Sequence, residues 1–151
     1  VSTAAFTTFS NIRNLQPPTY TLPTSPASWW AEAEKRLEDL LKLPDGWDGY
    51  DGSPVRLGNV RITTTILNGV CRDNTPIPQF VPVSKGGLQV EWHTAHVDIE
   101  IYIANPGEIH ATRTFVDGRE DEEVHIRNDF SAIVPWIREL EASVATTATA
   151  A

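Results

Sequence analysis

The stretch GGLQVEWHTAHVDIEIYI, residues 86–103, alternates apolar and polar side chains in two consecutive runs. Leu88, Val90 and Trp92 are separated by single polar residues, and the same pattern returns from Val97 to Ile103. A period of two is typical of a β-strand that buries one face and leaves the other in water. The stretch therefore predicts two strands of an antiparallel sheet with one apolar and one polar face.

The alternation continues on both sides of this stretch. Further alternating runs cover Val81–Val83, Ile109–Val116 and Glu120–Ile126. Turn-forming residues separate the runs at Lys85–Gly87, Asn105–Gly107 and Asp117–Gly118. Short turns of this composition join neighbouring antiparallel strands. The pattern therefore predicts a meander of five antiparallel strands.

Apolar residues recur at helical spacing before and after the strands. The predicted helices run from about Ser28 to Leu43, from about Pro54 to Arg72, and from near Ser131 through Leu140, with Asn128 or Asp129 as the last N-cap. Thr63–Thr65, Gly58 and Gly69 weaken the second helix. The order of two helices, five strands and one helix predicts an α+β fold of two layers, in which the helices cover the apolar face of the sheet.

The 151 residues suffice for one ordinary domain, which we place at residues 27–141. Residues 1–26 are rich in Pro and Thr and predict an extended arm, although Phe6 and Phe9 make it more apolar than a solvated linker. Residues 142–151 are almost all Ala and Thr and predict a disordered tail.

The charge balance bears on the kind of partner. Twelve Lys and Arg against twenty Asp and Glu give a net charge of −8, which repels nucleic acid and disfavours a polybasic membrane contact. The same charge suits a basic protein partner, and it also keeps a small domain soluble. No apolar run approaches the ~20 residues of a membrane span. Cys71 is the single cysteine, so no intrachain disulfide forms and we expect a cytoplasmic location.

Turn lengths allow the strand register to be predicted. A loop centred on Pro106 sets Ile103 opposite Ile109, and a tight Asp117–Gly118 hairpin continues the register to the last strand. Three ring side chains then lie side by side on the polar face, with Glu100 and Glu123 near them: Tyr102, His110 and His125. Such a group suits a transition metal or proton transfer, or it is an ordinary solvated face. A slip of one residue would separate the rings.

Glu91, Asp98 and Glu100 form an acidic group on the same polar face. Any plausible hairpin register brings two of these carboxylates together, which destabilises the sheet unless something neutralises them. A glycosidase pair, a cation site and a patch for a partner's Arg or Lys would each use this arrangement. No nucleophile accompanies the carboxylates, so the partner patch is the favoured functional interpretation, with an open acidic face as the alternative.

Asp45, Asp48 and Asp51 recur at every third position of a Gly-rich loop. This spacing does not match the EF-hand calcium loop. We interpret the loop as a connector between helices in which Trp47 and Tyr50 pin it to the core. The sequence also contains no Walker loop, GxGxxG, GxSxG or CxxC motif, so it predicts no catalytic residues and no cofactor.

Two segments together resemble a group of small bacterial and phage proteins of unknown function. LPDGWDGY at residues 43–50 and GGLQVEW at residues 86–92 are similar to the group's "WDGYG" turn and its "GG-hydrophobic-Q-hydrophobic-E-W" strand. The matching motif residues are Trp47, Asp48, Gly49, Tyr50 and Trp92, while Asp51 stands before the last glycine of the turn. The resemblance covers about residues 28–140 and implies no catalytic residues. It implies a product of a mobile element, with an antitoxin-like or phage-inhibitor role.

Our first hypothesis is a non-enzymatic, acidic regulatory protein that binds a protein partner which is itself basic or binds nucleic acid. Its predicted contact residues are Glu91, Asp98, Glu100, Tyr102, Phe6 and Phe9, with no metal. One alternative is a structural subunit of a homo-oligomer that exchanges the N-terminal arm. The other is a small metal-binding module or enzyme built on His110, His125, Glu100 and Tyr102.

Overall fold

The computed structural model describes residues 29–150, and within them the elements follow the predicted order. The elements are α1 (Trp30–Leu41), α2 (Leu57–Val70), β1 (Gln79–Val83), β2 (Gly87–His93), β3 (Val97–Asn105), β4 (Glu108–Phe115), β5 (Glu122–Ile126) and α3 (Val134–Thr149). Single 3₁₀ turns occupy Ser84–Gly86 and Ser131–Ile133. The α+β class with a five-stranded antiparallel sheet is confirmed. The predicted arm, with Phe6 and Phe9, lies outside the described residues.

The five strands form one sheet in the order β1-β2-β3-β4-β5, so each strand pairs with its neighbours in sequence. Ile103 lies opposite Ile109 and the register continues into β5 as predicted. β5 begins at Glu122 rather than at residue 120. The Asp117 carboxylate binds the backbone N–H of Arg119 at 3.2 Å, and the Arg119 guanidinium lies 4.0 Å from the Phe115 ring centre. These local contacts hold the connection between β4 and β5, so residues 120 and 121 do not take part in the pairing of the two strands.

The helices pack on one face of the sheet, where the inward side chains of the strands form the core. Ile99, Ile101 and Ile103 of β3 are fully buried at its centre. The helical members of this cluster are Ile66, Leu67 and Val70 of α2, Ile133 of the 3₁₀ turn, and Trp136, Ile137 and Leu140 of α3. Leu37 of α1 packs with Val55 and Leu88 in an adjoining cluster. The outward side chains of the strands are left half-buried or exposed, as the alternation predicts.

Buried Asn59 joins α2 to the sheet. Its Nδ2 donates to the carbonyl oxygens of Gly86 at 2.7 Å and Ala104 at 3.2 Å. Gly86 has a φ of +81°, and a Cβ there would lie 2.7 Å from Cγ of Arg56. The first glycine of the GG pair therefore provides both a left-handed backbone and a close approach to α2 that a side chain would obstruct.

The loop between α2 and β1 is tied down by three buried or half-buried polar contacts. Thr75 donates its hydroxyl to Oε1 of buried Glu141 at 2.5 Å. The indole N–H groups of Trp29 and Trp92 donate to the carbonyl oxygens of Thr75 and Pro76, each at 2.8 Å. The motif residue Trp92 thus fixes this loop from the core side.

The end of α3 differs from the disordered tail predicted for residues 142–151, because the helix continues to Thr149. Alanine is the best helix former, so a run rich in alanine favours the helical backbone. The hydroxyls of Thr146, Thr147 and Thr149 also donate to carbonyl oxygens one turn earlier, at 2.9–3.1 Å. At the other end, the Asp129 carboxylate accepts the backbone N–H of Ser131 at 2.8 Å. The N-cap residues are Phe130 for the 3₁₀ turn and Ile133 for α3, rather than the predicted Asn128 or Asp129, because the 3₁₀ turn separates Asp129 from the helix.

The loop after α1 is organised by Asp48. Its Oδ1 accepts the backbone N–H groups of Tyr50 and Gly52, each at 2.9 Å, and the Tyr50 hydrogen bond is the main cause of the lowered pKa of Asp48. Trp47 is half-buried and donates its indole N–H to the Ser53 carbonyl at 2.8 Å. Tyr50 is 87% exposed, so the prediction that it pins the loop to the core is wrong. The carboxylate already holds the turn, and the tyrosine projects into solvent.

Candidate functional site

Two parallel rows of side chains cross the outer face of the sheet. One, the acidic row, follows the pairing Gln79, Glu91, Glu100, Thr112 and Glu123 from β1 to β5. The other, the aromatic row, follows the pairing Val81, Gln89, Tyr102, His110 and His125. Facing residues on neighbouring antiparallel strands have Cβ atoms about 5 Å apart, so each row is a line of neighbouring side chains. Within residues 29–150, the helices lie on the opposite face of the sheet.

The three rings of the aromatic row lie side by side, as the predicted register requires. The ring centres of Tyr102 and His110 are 4.9 Å apart at 43°, and those of His110 and His125 are 5.9 Å apart at 53°. Tilted pairs at these separations are favourable aromatic contacts. In the part of the chain that the structure describes, no group of three His, Cys, Asp or Glu side chains is placed to hold a metal ion. The three rings form an aromatic surface across β3, β4 and β5.

The predicted meeting of carboxylates also occurs, because Glu91 lies directly opposite Glu100. Two side chains that the sequence analysis did not single out offset the repulsion. His93 lies between Glu91 and Asp98, with Nε2 at 2.8 Å from Glu91 and Nδ1 at 3.1 Å from Asp98. Gln89 donates its amide N–H to Oε2 of Glu100 at 3.0 Å. Gln89 and His93 are each two residues from Glu91 on β2, so the period of two places all three on the outer face. This alternation is the sequence signal that identifies them.

The two carboxylates raise the pKa of His93 above its ordinary value of 6.5, with the hydrogen bond that His93 donates to Glu91 as the largest cause and the one it donates to Asp98 next. The imidazolium form is favoured because it donates to a carboxylate from each ring nitrogen. His93 therefore bridges the two carboxylates, and both contacts favour its protonated form.

We expect replacement of His93 by Gln to lower the free energy of unfolding more at pH 6 than at pH 9. A raised folded-state pKa contributes stability that is fully present below the unfolded pKa and is lost as pH rises through the folded pKa. Urea unfolding of both proteins at the two pH values measures the difference. His125→Gln is the matched control, because this imidazole is 78% exposed and 4.0 Å from a single carboxylate. An equal effect of His93→Gln at both pH values would show that the imidazole carries no charge in these contacts.

The two rows meet at a shallow depression of about 230 Å³. Its lining residues are Gln89, Glu100, Tyr102, His110 and Thr112. One side is a carboxylate and the other a pair of rings, so the depression combines the chemistry of both rows.

The single thiol is not suited to nucleophilic chemistry. Cys71 is partly buried beside the Thr75 and Glu141 contact, and burial is the main reason that its pKa rises to about 12. A thiol with such a pKa stays protonated at neutral pH, whereas catalytic cysteines react as thiolates.

The predicted contact residues therefore fall into separate groups. Glu91, Asp98, Glu100 and Tyr102 share the outer face of the sheet. Phe6 and Phe9 lie outside the described residues. Among the motif residues, Trp92 is buried on the inner face and Trp47 to Tyr50 form the separate loop after α1.

Comparison of the chain with protein-family models, with curated proteins and with solved structures finds no match. Within residues 29–150, none of the helices has the length and apolar character needed to cross a bilayer.

Proposed function

We propose that this chain is a non-enzymatic regulatory protein that binds a basic protein partner through the outer face of its sheet. The observation that carries the proposal is the acidic row, which runs across the strands beside a row of aromatic rings on the face that the described helices leave open. A surface of this kind offers charge and apolar contact area together, which is how protein interfaces gain both specificity and affinity.

Charge complementarity indicates the kind of partner. Glu91 lies opposite Glu100 and is joined to Asp98 through His93, and the whole chain carries a net charge of −8. Arg and Lys side chains of a partner would make charge-assisted hydrogen bonds to these carboxylates. The long-range field would also steer a basic partner toward the sheet and repel a phosphate backbone.

An antitoxin-like or phage-inhibitor role is the specific form that we propose, with a nucleic-acid-binding protein as the partner and the cytoplasm as the location. The resemblance of the WDGY and GGLQVEW segments to small bacterial and phage proteins supports this form. The acidic row supports it independently, because carboxylates spaced along a sheet would occupy the basic surface that such a partner uses for phosphates.

The test is the affinity of the full chain for the partner isolated with it from its own cells. We expect the double variant Glu91→Gln/Glu100→Gln to raise the dissociation constant by about tenfold or more, which corresponds to a loss of about 1.4 kcal/mol of binding free energy. Glu38→Gln/Asp45→Asn removes the same charge from exposed positions on α1 and the following loop, and we expect it to retain the affinity within about twofold. Affinity should also fall steeply as salt rises from about 50 to 300 mM. Equal weakening by both double variants, or a complex indifferent to salt, would contradict this proposal.

A further inference from the structure

We propose that the depression between the two rows is a subsite for one arginine side chain of the partner, an inference that rests on the proposed function above. The depression is shallow and holds about 230 Å³. Pockets for drug-sized molecules and cofactors enclose roughly 300–1,000 Å³. Its size therefore fits a single side chain that enters from a neighbouring protein surface.

The carboxylate side of the depression provides the charge. Gln89 holds Oε2 of Glu100 at 3.0 Å and so fixes the orientation of that carboxylate. Within residues 29–150, Oε1 of Glu100 accepts no hydrogen bond, which leaves an acceptor for an incoming cation. The Thr112 hydroxyl lies at the facing position on β4 and adds a second acceptor.

The ring side of the depression provides a surface for stacking. Tyr102 and His110 are in contact, with ring centres 4.9 Å apart, and both line the depression beside Glu100. A guanidinium group is planar and weakly hydrated, so it stacks on an aromatic face while its N–H groups bind a carboxylate. A lysine ammonium is a compact, strongly hydrated charge and uses only part of this arrangement.

Other ligand classes fit less well. An anion would meet Glu100, with Glu91 directly opposite it on β2 and Glu123 further along the same row. A metal ion would need three ligands, and no such group occurs among the described residues. The combination of one held carboxylate and two rings therefore selects a planar organic cation.

The experiment is a titration of the ¹⁵N-labelled full chain with N-acetyl-arginine methylamide, followed by NMR. We expect amide shifts confined to β2, β3 and β4 around the depression and a dissociation constant in the range of about 1–20 mM. The lysine analogue should bind at least about threefold more weakly, because it lacks the planar face. Glu100→Gln and Tyr102→Leu should each weaken arginine binding by about fivefold or more.

Glu38→Gln is the matched control, because it removes one exposed carboxylate from α1, which packs on the opposite face of the sheet, and should leave arginine binding unchanged. The ¹⁵N spectrum of each variant shows whether the fold is retained. Absence of shifts at about 50 mM arginine analogue, or equal binding of the lysine analogue, would overturn the subsite. If the arginine analogue binds as expected but the affinity of the partner is unchanged by Glu91→Gln/Glu100→Gln, the proposed function fails and the depression stands only as a site for an arginine-like cation. If the double variant lowers the affinity for the partner but the arginine analogue does not bind, the subsite fails and the proposed function stands.

Discussion

Replacement of Trp92 by alanine is expected to lower the free energy of unfolding by about 3–5 kcal/mol. The side chain is 3% exposed and lies in the main core cluster on the inner face of β2. Its indole N–H also donates to the Pro76 carbonyl at 2.8 Å, so the substitution both opens a cavity and releases the loop between α2 and β1. Since small domains are stable by only about 5–15 kcal/mol, this single change removes a large part of the total.

Guanidinium unfolding measures the effect, with Trp92→Phe as the matched control. Phenylalanine keeps a ring in the core but cannot donate to the Pro76 carbonyl, so we expect it to cost about 1–2 kcal/mol. Both variants lose the hydrogen bond to Pro76, so the difference between their free energies of unfolding measures the contribution of side-chain volume. A loss below about 1.5 kcal/mol for Trp92→Ala would show that the site collapses around the smaller residue.

Replacement of Arg113 by alanine is expected to cost about 2–3 kcal/mol, because one side chain connects three elements. Arg113 is on the inner face of β4, and its side chain is only 10% exposed. Its Nε donates to Glu122 of β5 at 2.6 Å, and its Nη1 donates to Glu139 of α3 at 2.5 Å. The guanidinium carbon also lies 5.2 Å from the Trp136 ring centre.

Arg113→Met separates the contribution of packing from that of charge. Methionine keeps the apolar stem against Trp136, and Glu122 and Glu139 can return to water because they are already 46% and 65% exposed. We therefore expect Arg113→Met to cost less than about 1 kcal/mol, as when buried ion pairs are replaced by apolar side chains of similar volume. Arg119→Ala, which removes an exposed pair with Asp117, should cost less than about 0.5 kcal/mol. A loss for Arg113→Met equal to that for Arg113→Ala would show that charge dominates.

The sheet and its register follow from local sequence signals. Each hairpin turn is short, and a buried face penalises any slip of one residue, so the position of Asn105–Gly107 determines which residues face each other. For this reason the sequence alone predicts that Tyr102, His110 and His125 lie side by side. The burial of Trp92 follows from the same alternation.

Other features depend on contacts that local patterns do not encode. Alternation predicts an apolar side chain at position 113, and arginine is accommodated there because Glu122 and Glu139 bind its guanidinium, the second from a helix 26 residues later in the chain. An aromatic residue in a Gly-rich loop predicts an anchor to the core, but the Asp48 carboxylate holds this loop and the Tyr50 ring lies in solvent. The low complexity of residues 142–151 predicts a disordered tail, whereas the high helix propensity of alanine extends α3 to Thr149.

The meander topology has a consequence for the speed of folding. Within residues 29–150, every hydrogen-bonded strand pair joins two strands that are consecutive in sequence, so the sheet can grow by one hairpin at a time. Each step closes a short loop, and the entropy lost in that closure is small compared with that of a long crossover connection. Topologies dominated by such local contacts reach the native state faster than sandwiches of similar size with distant strand pairings. The chain can therefore complete its sheet early, with a short interval in which the hydrophobic strands are exposed to other molecules.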